Sequence, residues 1–217
     1  MEDLNYQPYL DRLIEFGSTE ERKEDLLAAK AEYFRLAGEV HEDDKSFDLR
    51  MAAFLDWYLF DRVAPTTGRT PAAEFCEVHG AGLPPEEQGI FRGFTETRHG
   101  LFEVRKIGKG IIRLRDLETA KDHDVTERRQ VAGLEKGDVI EARLIPVAGH
   151  LLFSAAFVWH PKEGTKAIFK EIKRRKKKEP DRPFKDIVWD TSRMALKVDR
   201  YRQIPIERIY DFELKKL

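Results

Sequence analysis

The densest set of side chains able to bind a ligand is a basic run of six consecutive Lys and Arg residues at positions 173–178. Cations stabilise a helix end, but six exceed what an end requires, and like charges one turn apart destabilise a helix. The excess indicates an anionic partner such as a phosphate backbone. The sequence therefore predicts a non-enzymatic nucleic-acid or ribonucleoprotein-binding site. Its expected members are Lys170, Lys173, Arg174, Arg175, Lys176, Lys177, Lys178, Arg182 and Lys185.

Other residues near the basic run both support and weaken this interpretation. Lys166 adds a cation, and Phe184 and Trp189 are aromatic residues of the kind that stack on a base. Four acids lie in the same stretch, and the sequence pI of about 6.6 is low for a dedicated nucleic-acid binder. The acids are Glu171, Glu179, Asp181 and Asp186. RNA and DNA are equally compatible with this pattern.

The charge of the chain changes sign along its length. Residues 1–88 hold nine Lys and Arg against 20 Asp and Glu, a net charge of −11. Residues 89–162 hold 13 against 10, or +3, and residues 163–217 hold 17 against 10, or +7. Such polarity predicts either a charged partner at each end or contact between the two ends. The alternative function is accordingly a protein-interaction adaptor with an acidic bundle and a basic tail.

The common enzyme motifs are missing from the sequence. It has no phosphate-binding glycine loop, no Gly-x-Ser-x-Gly elbow and no His-Glu-x-x-His pair. The His-Glu-Asp-Asp segment at 41–44, with Asp48, resembles a set of hard-metal ligands, but its acids are better explained by a following helix N-terminus, whose dipole favours them. A metal-dependent hydrolase is therefore the least favoured function, and we expect no catalytic residue, metal or cofactor.

Two acids on one apolar stretch, Asp56 and Asp61, are candidates for a catalytic carboxylate pair. A spacing of five does not place them well on one helix face, so we expect ion pairs with Arg50 or Arg62 instead. Four histidines fall at expected strand ends or turns, and we interpret them as scattered surface residues rather than metal ligands. They are His99, His123, His150 and His160.

The single cysteine, Cys76, excludes an internal disulfide and a thiolate zinc cage built from one chain. His79 lies within helical reach as a base, but the apolar neighbours Phe75 and Val78 favour a small buried thiol.

The N-terminus carries acids where a secretory signal carries bases. The longest apolar stretch, residues 144–159, is interrupted and too short to span a bilayer, so we expect a cytoplasmic protein without a membrane partner.

Helical patterns fill the first part of the chain. Ser18 with Glu21 forms a capping box before a helix that stops at Gly38, and a strongly apolar helix follows over about residues 46–62. Thr70 before Pro71, and Pro85, mark two shorter helices. These elements predict a small bundle of four or five helices.

From residue 99 the hydrophobic period changes to two, and glycines separate short segments. The segments at 101–107, 111–117, 121–127, 137–147 and 150–160 read as five strands. A small sheet with open edges would pair with other chains, so closure into an OB-like or SH3-like barrel is expected. The pattern does not distinguish these two barrels.

The C-terminal part should be a basic helix from about Thr165 followed by a tail that folds back. The tail, residues 187–217, is too apolar to be disordered; Met194, Leu196 and Val198 alternate as in a strand, and a terminal helix is possible after them. The whole chain is then an α+β protein. Its expected domains are an acidic helical domain (1–98), a small β-barrel (99–162) and a basic helix with a packed tail (163–217).

Three segments in this order, residues 54–75, 100–127 and 134–161, carry a family resemblance. With Asp56–Trp57, Asp116 and Gly137–Asp138 as its marks, the stretch 48–161 resembles a little-characterised bacterial family that combines helices with a small β-barrel. Some members of that family end in a SEC-C zinc-binding motif. The resemblance implies a fold but no activity, and the SEC-C cysteines are missing from this sequence.

Overall fold

The computed structural model describes residues 4–127 and 133–214, and within them the chain has an α+β fold. The helices are α1 (Gln7–Gly17), α2 (Lys23–Ala37), α3 (Phe47–Phe60), α4 (Pro71–His79), α5 (Pro85–Thr95), α6 (Lys162–Lys178), α7 (Lys185–Arg200) and α8 (Ile206–Ile209). The strands are β1 (Arg98–Gly108), β2 (Ile111–Asp116), β3 (Asp122–Thr126), β4 (Val139–Val147) and β5 (His150–His160). The predicted order of helical bundle, five-stranded barrel and C-terminal helices is confirmed. No described helix combines the length and apolar character needed to cross a membrane.

Local capping explains two boundaries of the bundle helices. Thr70 Oγ1 accepts a hydrogen bond from the Ala73 amide at 3.2 Å, as expected for the start of α4. Gly38 ends α2 with φ of +100°, a conformation that L side chains rarely adopt. The predicted Ser18 capping box is wrong. The Ser18 hydroxyl donates to the Ile14 carbonyl at 2.7 Å at the end of α1, and α2 begins after a short 3₁₀ turn.

The core of the bundle is aromatic. The Tyr33 ring of α2 lies 5.8 Å from the ring of Phe54 and 5.5 Å from that of Trp57, both on α3. Trp189 of α7 packs edge-on against Tyr33 at 5.6 Å and against Trp57 at 6.3 Å. The C-terminal part of the chain therefore supplies a side chain to the bundle core.

The five strands close into a barrel in the order β1-β2-β3-β5-β4, and β4 pairs again with β1. All neighbouring strands are antiparallel except β3 and β5, which meet in parallel at Val125 and Leu151. This order, with one parallel contact closing the barrel, is that of an OB-type barrel, whereas SH3-like barrels are closed by antiparallel pairs. The topology thus resolves the alternative that the sequence left open.

The barrel is filled by alternate apolar side chains and touches the bundle closely. Phe102, Leu114 and Ile140 lie in its interior, and each is fully or almost fully buried. On the outside, a Cβ atom at Gly93 of α5 would lie 2.1 Å from the Pro146 carbonyl oxygen of β4. Glycine is therefore required where α5 meets the barrel.

The C-terminal helices pack on the barrel around a separate apolar cluster. Ile168 and Ile172 of α6 join Ile187 of α7, Tyr210 after α8 and Leu101 of β1. The described part of the tail therefore folds back, as predicted; its residues 215–217 lie outside the described residues. The strand-like alternation expected at 194–198 is wrong, because these residues belong to α7.

The acidic bundle and the basic C-terminal segment contact each other through α7. The Arg200 guanidinium pairs with Asp44 at 2.5 Å, and Arg193 donates to the Leu36 carbonyl. Arg50 of α3 donates to the Ser192 hydroxyl at 2.6 Å. Part of the charge polarity seen in the sequence is thus used inside the molecule.

Candidate functional site

Four lysines of α6 form a row that we call the lysine stripe: Lys166, Lys170, Lys173 and Lys177. Their spacings of four, three and four residues place them within about 60° of arc and along about 17 Å of the helix axis. All four are exposed, and they lie opposite the face that buries Ile168 and Ile172. Among the described residues, none of the four ammonium groups has an ion-pair partner, so the stripe carries a row of available positive charges.

The two arginines of the basic run are engaged within the protein. Arg174 donates to both oxygens of Glu171 at 2.7 Å and pairs with Glu179 at 2.5 Å. Arg175, which is almost buried, pairs with Glu171 at 2.7 Å and with Asp190 of α7 at 2.5 Å. Burial alone would raise the pKa of Glu171, but the two guanidinium groups outweigh it and lower that pKa. Arg175 therefore joins α6 to α7, whereas Arg174 is held by acids of α6 and of its C-terminal end.

Lys176 and Arg182 also have internal partners. The Lys176 ammonium donates to the Leu117 carbonyl at 3.0 Å and to the Glu118 carbonyl at 2.8 Å, which fastens the β2–β3 turn to α6. Arg182 pairs with Glu179 at 3.0 Å and Asp186 at 2.8 Å. Both side chains therefore make contacts within the protein and not with solvent alone.

Lys178 and Lys185 lie off the stripe. Lys178 borders a groove of about 790 Å³ between α6, α7 and the segment after α8, where seven cationic and five anionic side chains face one another. The Lys185 ammonium sits 5.7 Å from the centre of the Trp189 ring. Of the nine predicted residues, Lys170, Lys173 and Lys177 share one open face, which Lys166 extends.

The aromatic side chains expected beside the basic run are used for packing. Trp189 is only 6% exposed, within the bundle core, and Phe184 packs on the cluster beneath α6. The exposed aromatic residue of α6 is instead Phe169, which is 37% exposed and lies beside Lys173 on the helix surface. The sequence pattern placed Phe169 with Ile168 and Ile172 on the docking face of α6; for Phe169 this is wrong, because it joins none of the apolar clusters of the described residues.

The β2–β3 face of the barrel differs from the lysine stripe because its charges are paired across strands. Side chains of β2 and β3 point outward at alternate positions, and none of these side chains is aromatic. The cross-strand pairs are Arg113 with Asp124 at 2.7 Å and Arg115 with Asp122 at 3.5 Å. This face therefore lacks both free cations in a row and rings on which bases could stack.

A second group of titratable residues, buried or half-buried, lies where the bundle, barrel and C-terminal helices meet. This buried polar centre consists of Asp56, Asp61, His99, Glu141, Arg143 and His160. Arg143 of β4 pairs with Asp61, donates to Thr97 Oγ1 at 2.8 Å and has its Nε 3.8 Å from Asp56. The expected ion pairs of Asp56 and Asp61 with Arg50 or Arg62 are therefore wrong.

Partners from other elements replace the expected ones. Arg62 of the bundle pairs with Asp25 at 2.8 Å and Glu32 at 3.1 Å, both on α2. Burial raises the pKa of Asp56. Burial would also raise the pKa of Asp61, but the Arg143 guanidinium outweighs it and lowers that pKa. The two carboxyl groups thus differ in environment although one arginine serves both.

Two histidines belong to this centre, and one of them contacts Glu141. His99 Nε2 lies 3.1 Å from Glu141 Oε1, and fully buried His160 has its Nδ1 2.8 Å from the Tyr210 hydroxyl. Burial lowers the pKa of His160 to about 4, so its ring is neutral at pH 7. The interpretation of these two histidines as surface residues is wrong. His150 is exposed, as expected.

The strand pattern contained a signal for this centre that sequence reasoning missed. Glu141 and Arg143 alternate with Ile140, Ala142 and Leu144, which fill the barrel interior. The two charged residues consequently point outward, toward the bundle, from a strand buried on both faces. Alternating charges in such a strand indicate a buried polar contact with another element.

The remaining chemical candidates have structural roles. Asp44 accepts from the His41 amide at 2.8 Å, and hydrogen bonds from Arg200 lower its pKa. The Cys76 thiol donates to the Phe91 carbonyl at 3.3 Å, and burial raises its pKa. Within residues 4–127 and 133–214, no group of three or more His, Cys, Asp or Glu side chains is arranged to hold a metal ion.

Comparison with known proteins gives a family but no activity. The chain has no match among curated proteins or solved structures. Residues 22–185 match the model of a family of unknown function, DUF7986. This match spans α2 to the start of α7, including the whole barrel and the lysine stripe. Because it covers most of the chain, the protein belongs to the DUF7986 family.

Proposed function

We propose that this protein binds the phosphate backbone of RNA or DNA along α6. The observation that carries the proposal is the lysine stripe, four exposed lysines aligned on the face opposite the buried side of the helix. Arg174, Arg175 and Lys176 of the basic run have internal partners, whereas the four lysines of the stripe have no ion-pair partner among the described residues. Phosphates spaced along a strand complement such a row.

A purely structural role explains the stripe less well. Lysines at i, i+3 and i+4 repel one another, and each such pair destabilises a helix by about 0.2–0.5 kcal/mol. An exposed helix face can be made hydrophilic with mixed charges, as the arginines and acids of the same helix illustrate. A row of one sign gains a favourable interaction only when an anion approaches.

The salt dependence of binding tests this function. Four phosphate contacts predict that log K falls with log salt with a slope of magnitude about 3 for a single strand. A triple variant should lower that magnitude by about 2 and weaken binding to all sequences similarly. It carries Lys170→Gln, Lys173→Gln and Lys177→Gln. The measurement is fluorescence anisotropy of labelled oligonucleotides from about 50 to 200 mM salt, a range over which phosphate contacts weaken measurably.

A matched control removes the same number of charges elsewhere. Lys23→Gln, Lys30→Gln and Lys45→Gln change three exposed lysines of the bundle and should leave affinity and slope almost unchanged. If both triple variants behave alike, the charge of the whole protein and not the stripe drives binding. Failure of the wild-type protein to bind at about 50 mM salt refutes the proposal.

The alternative, a protein-interaction adaptor, is favoured by a different feature. A groove of about 570 Å³ runs between α2 and the start of α3; its apolar lining includes Leu27, Phe34, Phe47 and Met51, and charged side chains of α2 and of the segment after it also border it. Leu27 is 59% exposed and extends the apolar surface of this groove. Leu27→Glu would abolish an apolar protein contact here while leaving oligonucleotide binding intact. Loss of oligonucleotide binding in this variant would contradict the assignment of the two surfaces.

A further inference from the structure

We infer that the lysine stripe selects single strands over duplexes, because Phe169 offers a base-stacking surface beside it; this inference rests on the proposed function. Phe169 precedes Lys170 in α6 and lies about 40° around the helix from Lys173. Its ring has no aromatic partner among the described residues and joins none of the three apolar clusters formed by them. The remaining aromatic residues of the C-terminal helices, Phe184 and Trp189, are held in packing.

Stacking distinguishes the two forms of nucleic acid for a geometric reason. A base in a duplex already has both faces covered, so a surface ring meets only sugars and phosphates. A base in a single strand has a free face, and base–aromatic stacking adds affinity without reading sequence. A strand that runs along the stripe places its phosphates on the lysines and its bases toward the flank of α6 where Phe169 lies.

Three probes of equal length separate stacking from phosphate contact: a 12-nucleotide single strand, the same strand made abasic, and the corresponding duplex. Phe169→Ala should weaken binding of the single strand by roughly 5- to 100-fold and leave the salt dependence of that binding unchanged. Its affinity for the abasic strand and the duplex should match that of the wild type. Phe169→Leu, which keeps apolar bulk but lacks the aromatic face, should behave like Phe169→Ala.

The control is Tyr201→Ala, which removes an aromatic ring of comparable exposure after α7. It should bind all three probes as the wild type does. Unchanged single-strand affinity in Phe169→Ala, or an equal loss for strand and duplex, overturns the stacking assignment while leaving the lysine stripe intact. A stripe variant that binds all probes like the wild type instead overturns the proposed function itself.

A different observation supports a second inference: we propose that one buried water molecule joins Asp56, Glu141 and Arg143. These residues line a cavity of about 10 Å³, closed by Ala53, His99, Ala156 and Val158. Asp56 Oδ2, Glu141 Oε2 and Arg143 Nε are buried without a hydrogen-bond partner within the protein. Buried polar atoms of this kind are rarely left unsatisfied.

The chemistry of the three atoms matches water. The cavity has about the volume of one water-sized probe. Water donates twice and accepts from a third group, so it can serve both carboxylate oxygens and the guanidinium N–H. It also bridges the 3.8 Å between Arg143 Nε and Asp56 Oδ2, which is too long for a direct hydrogen bond. A cation would satisfy the carboxylates but be repelled by Arg143.

A crystal structure at better than about 2 Å resolution tests this site, because ordered water is resolved there as part of the buried hydrogen-bond network. We expect one density peak within hydrogen-bond distance of all three atoms, and the Ala53→Ser hydroxyl should replace it. Direct contact of Arg143 Nε with Asp56, without such a peak, overturns the inference. The melting temperature should be the same in sodium, potassium and choline chloride at equal ionic strength. Specific dependence on one cation would show that an ion is the occupant.

Discussion

The lysine stripe and the buried polar centre are both built from charged residues, and they differ in what surrounds each charge. The lysines project into solvent from one helix and have no ion-pair partner among the described residues. Arg143 is almost completely buried and meets Asp61, Thr97 and the Phe60 ring on other elements. A charge in solvent is available to a ligand, whereas a charge in the interior is committed to the fold. Charge count alone therefore does not identify a binding surface.

The largest effect should come from removing the central cation of the buried group. Arg143→Met leaves Asp61 without its main partner in a low-dielectric site, and breaking a buried ion pair destabilises a protein by about 3–5 kcal/mol. Denaturant unfolding measures this loss. Lys173→Met, the matched change on the stripe, should stay within about 0.5 kcal/mol of the wild type. Equal losses for the two variants would remove the distinction between the regions.

Acid should destabilise the buried centre through His160. Its pKa is about 4 in the folded protein against 6.5 for an ordinary histidine, so the unfolded chain binds the proton more tightly. The stability that depends on neutral His160 is fully present above pH 6.5, and the free energy of unfolding falls by up to about 3 kcal/mol as the pH drops toward 4. Urea titrations across this range should show the fall, and His160→Asn should flatten it.

Other groups near His160 must be separated from this effect. Glu141 of β4, Arg50 of α3 and Tyr210 after α8 face it, and Glu141 also meets His99. The pKa of Glu141 is lowered, because its interactions with His99 outweigh burial. The stability that ionised Glu141 contributes is therefore lost only when the pH falls below the ordinary pKa of a glutamate. Exposed His150→Asn serves as the control and should retain the full pH dependence. If His160→Asn retains it too, another group is responsible.

A smaller difference should separate two neighbouring cations of α6. Arg175→Gln breaks hydrogen bonds with Glu171 and Asp190 and should lower stability by about 2 kcal/mol. Lys177→Gln, two residues on, should change stability by less than about 0.5 kcal/mol. Oligonucleotide binding should show the reverse order, since Lys177 faces solvent and Arg175 faces α7. A larger binding loss for Arg175→Gln in folded protein would contradict this division.

The smallest expected effect is a gain in stability. Replacing Lys170, Lys173 and Lys177 by Gln removes like-charge repulsion along α6, worth about 0.2–0.5 kcal/mol per pair. The melting temperature should rise slightly at low salt and match the wild type at about 1 M salt, where repulsion is screened. A fall in melting temperature at low salt would show that the lysines have structural partners.

Sequence patterns predicted most of the fold because each depends on nearby residues. Thr70 before a proline marks the start of α4, and period-two hydrophobicity marks β1 to β5. The Ser18 capping box failed since the same hydroxyl can bond backward to Ile14 and end α1. The strand prediction for residues 194–198 failed because the same residues also fit a helix: Leu196 lies one turn after Ser192, and both are buried on one face of α7.

The candidate site was predicted less completely, for a physical reason. The excess of cations at 173–178 is a property of composition, and so is the acidic character of the first 88 residues. Partners decide which cations remain available, and these partners come from distant segments. Asp190 engages Arg175, and the carbonyls of Leu117 and Glu118 engage Lys176.

By itself the sequence determined most of the element types, the order of bundle, barrel and basic helices, and the location of excess charge, because these follow from local propensity and composition. Only the tertiary structure decided the OB-type strand order, since register is set by pairing between segments far apart in sequence. It also decided that His160 is buried and that Arg143 joins Asp61 across 82 positions. Burial and ion pairing depend on which surfaces meet when the chain folds, and that meeting separated the lysine stripe from the arginines beside it.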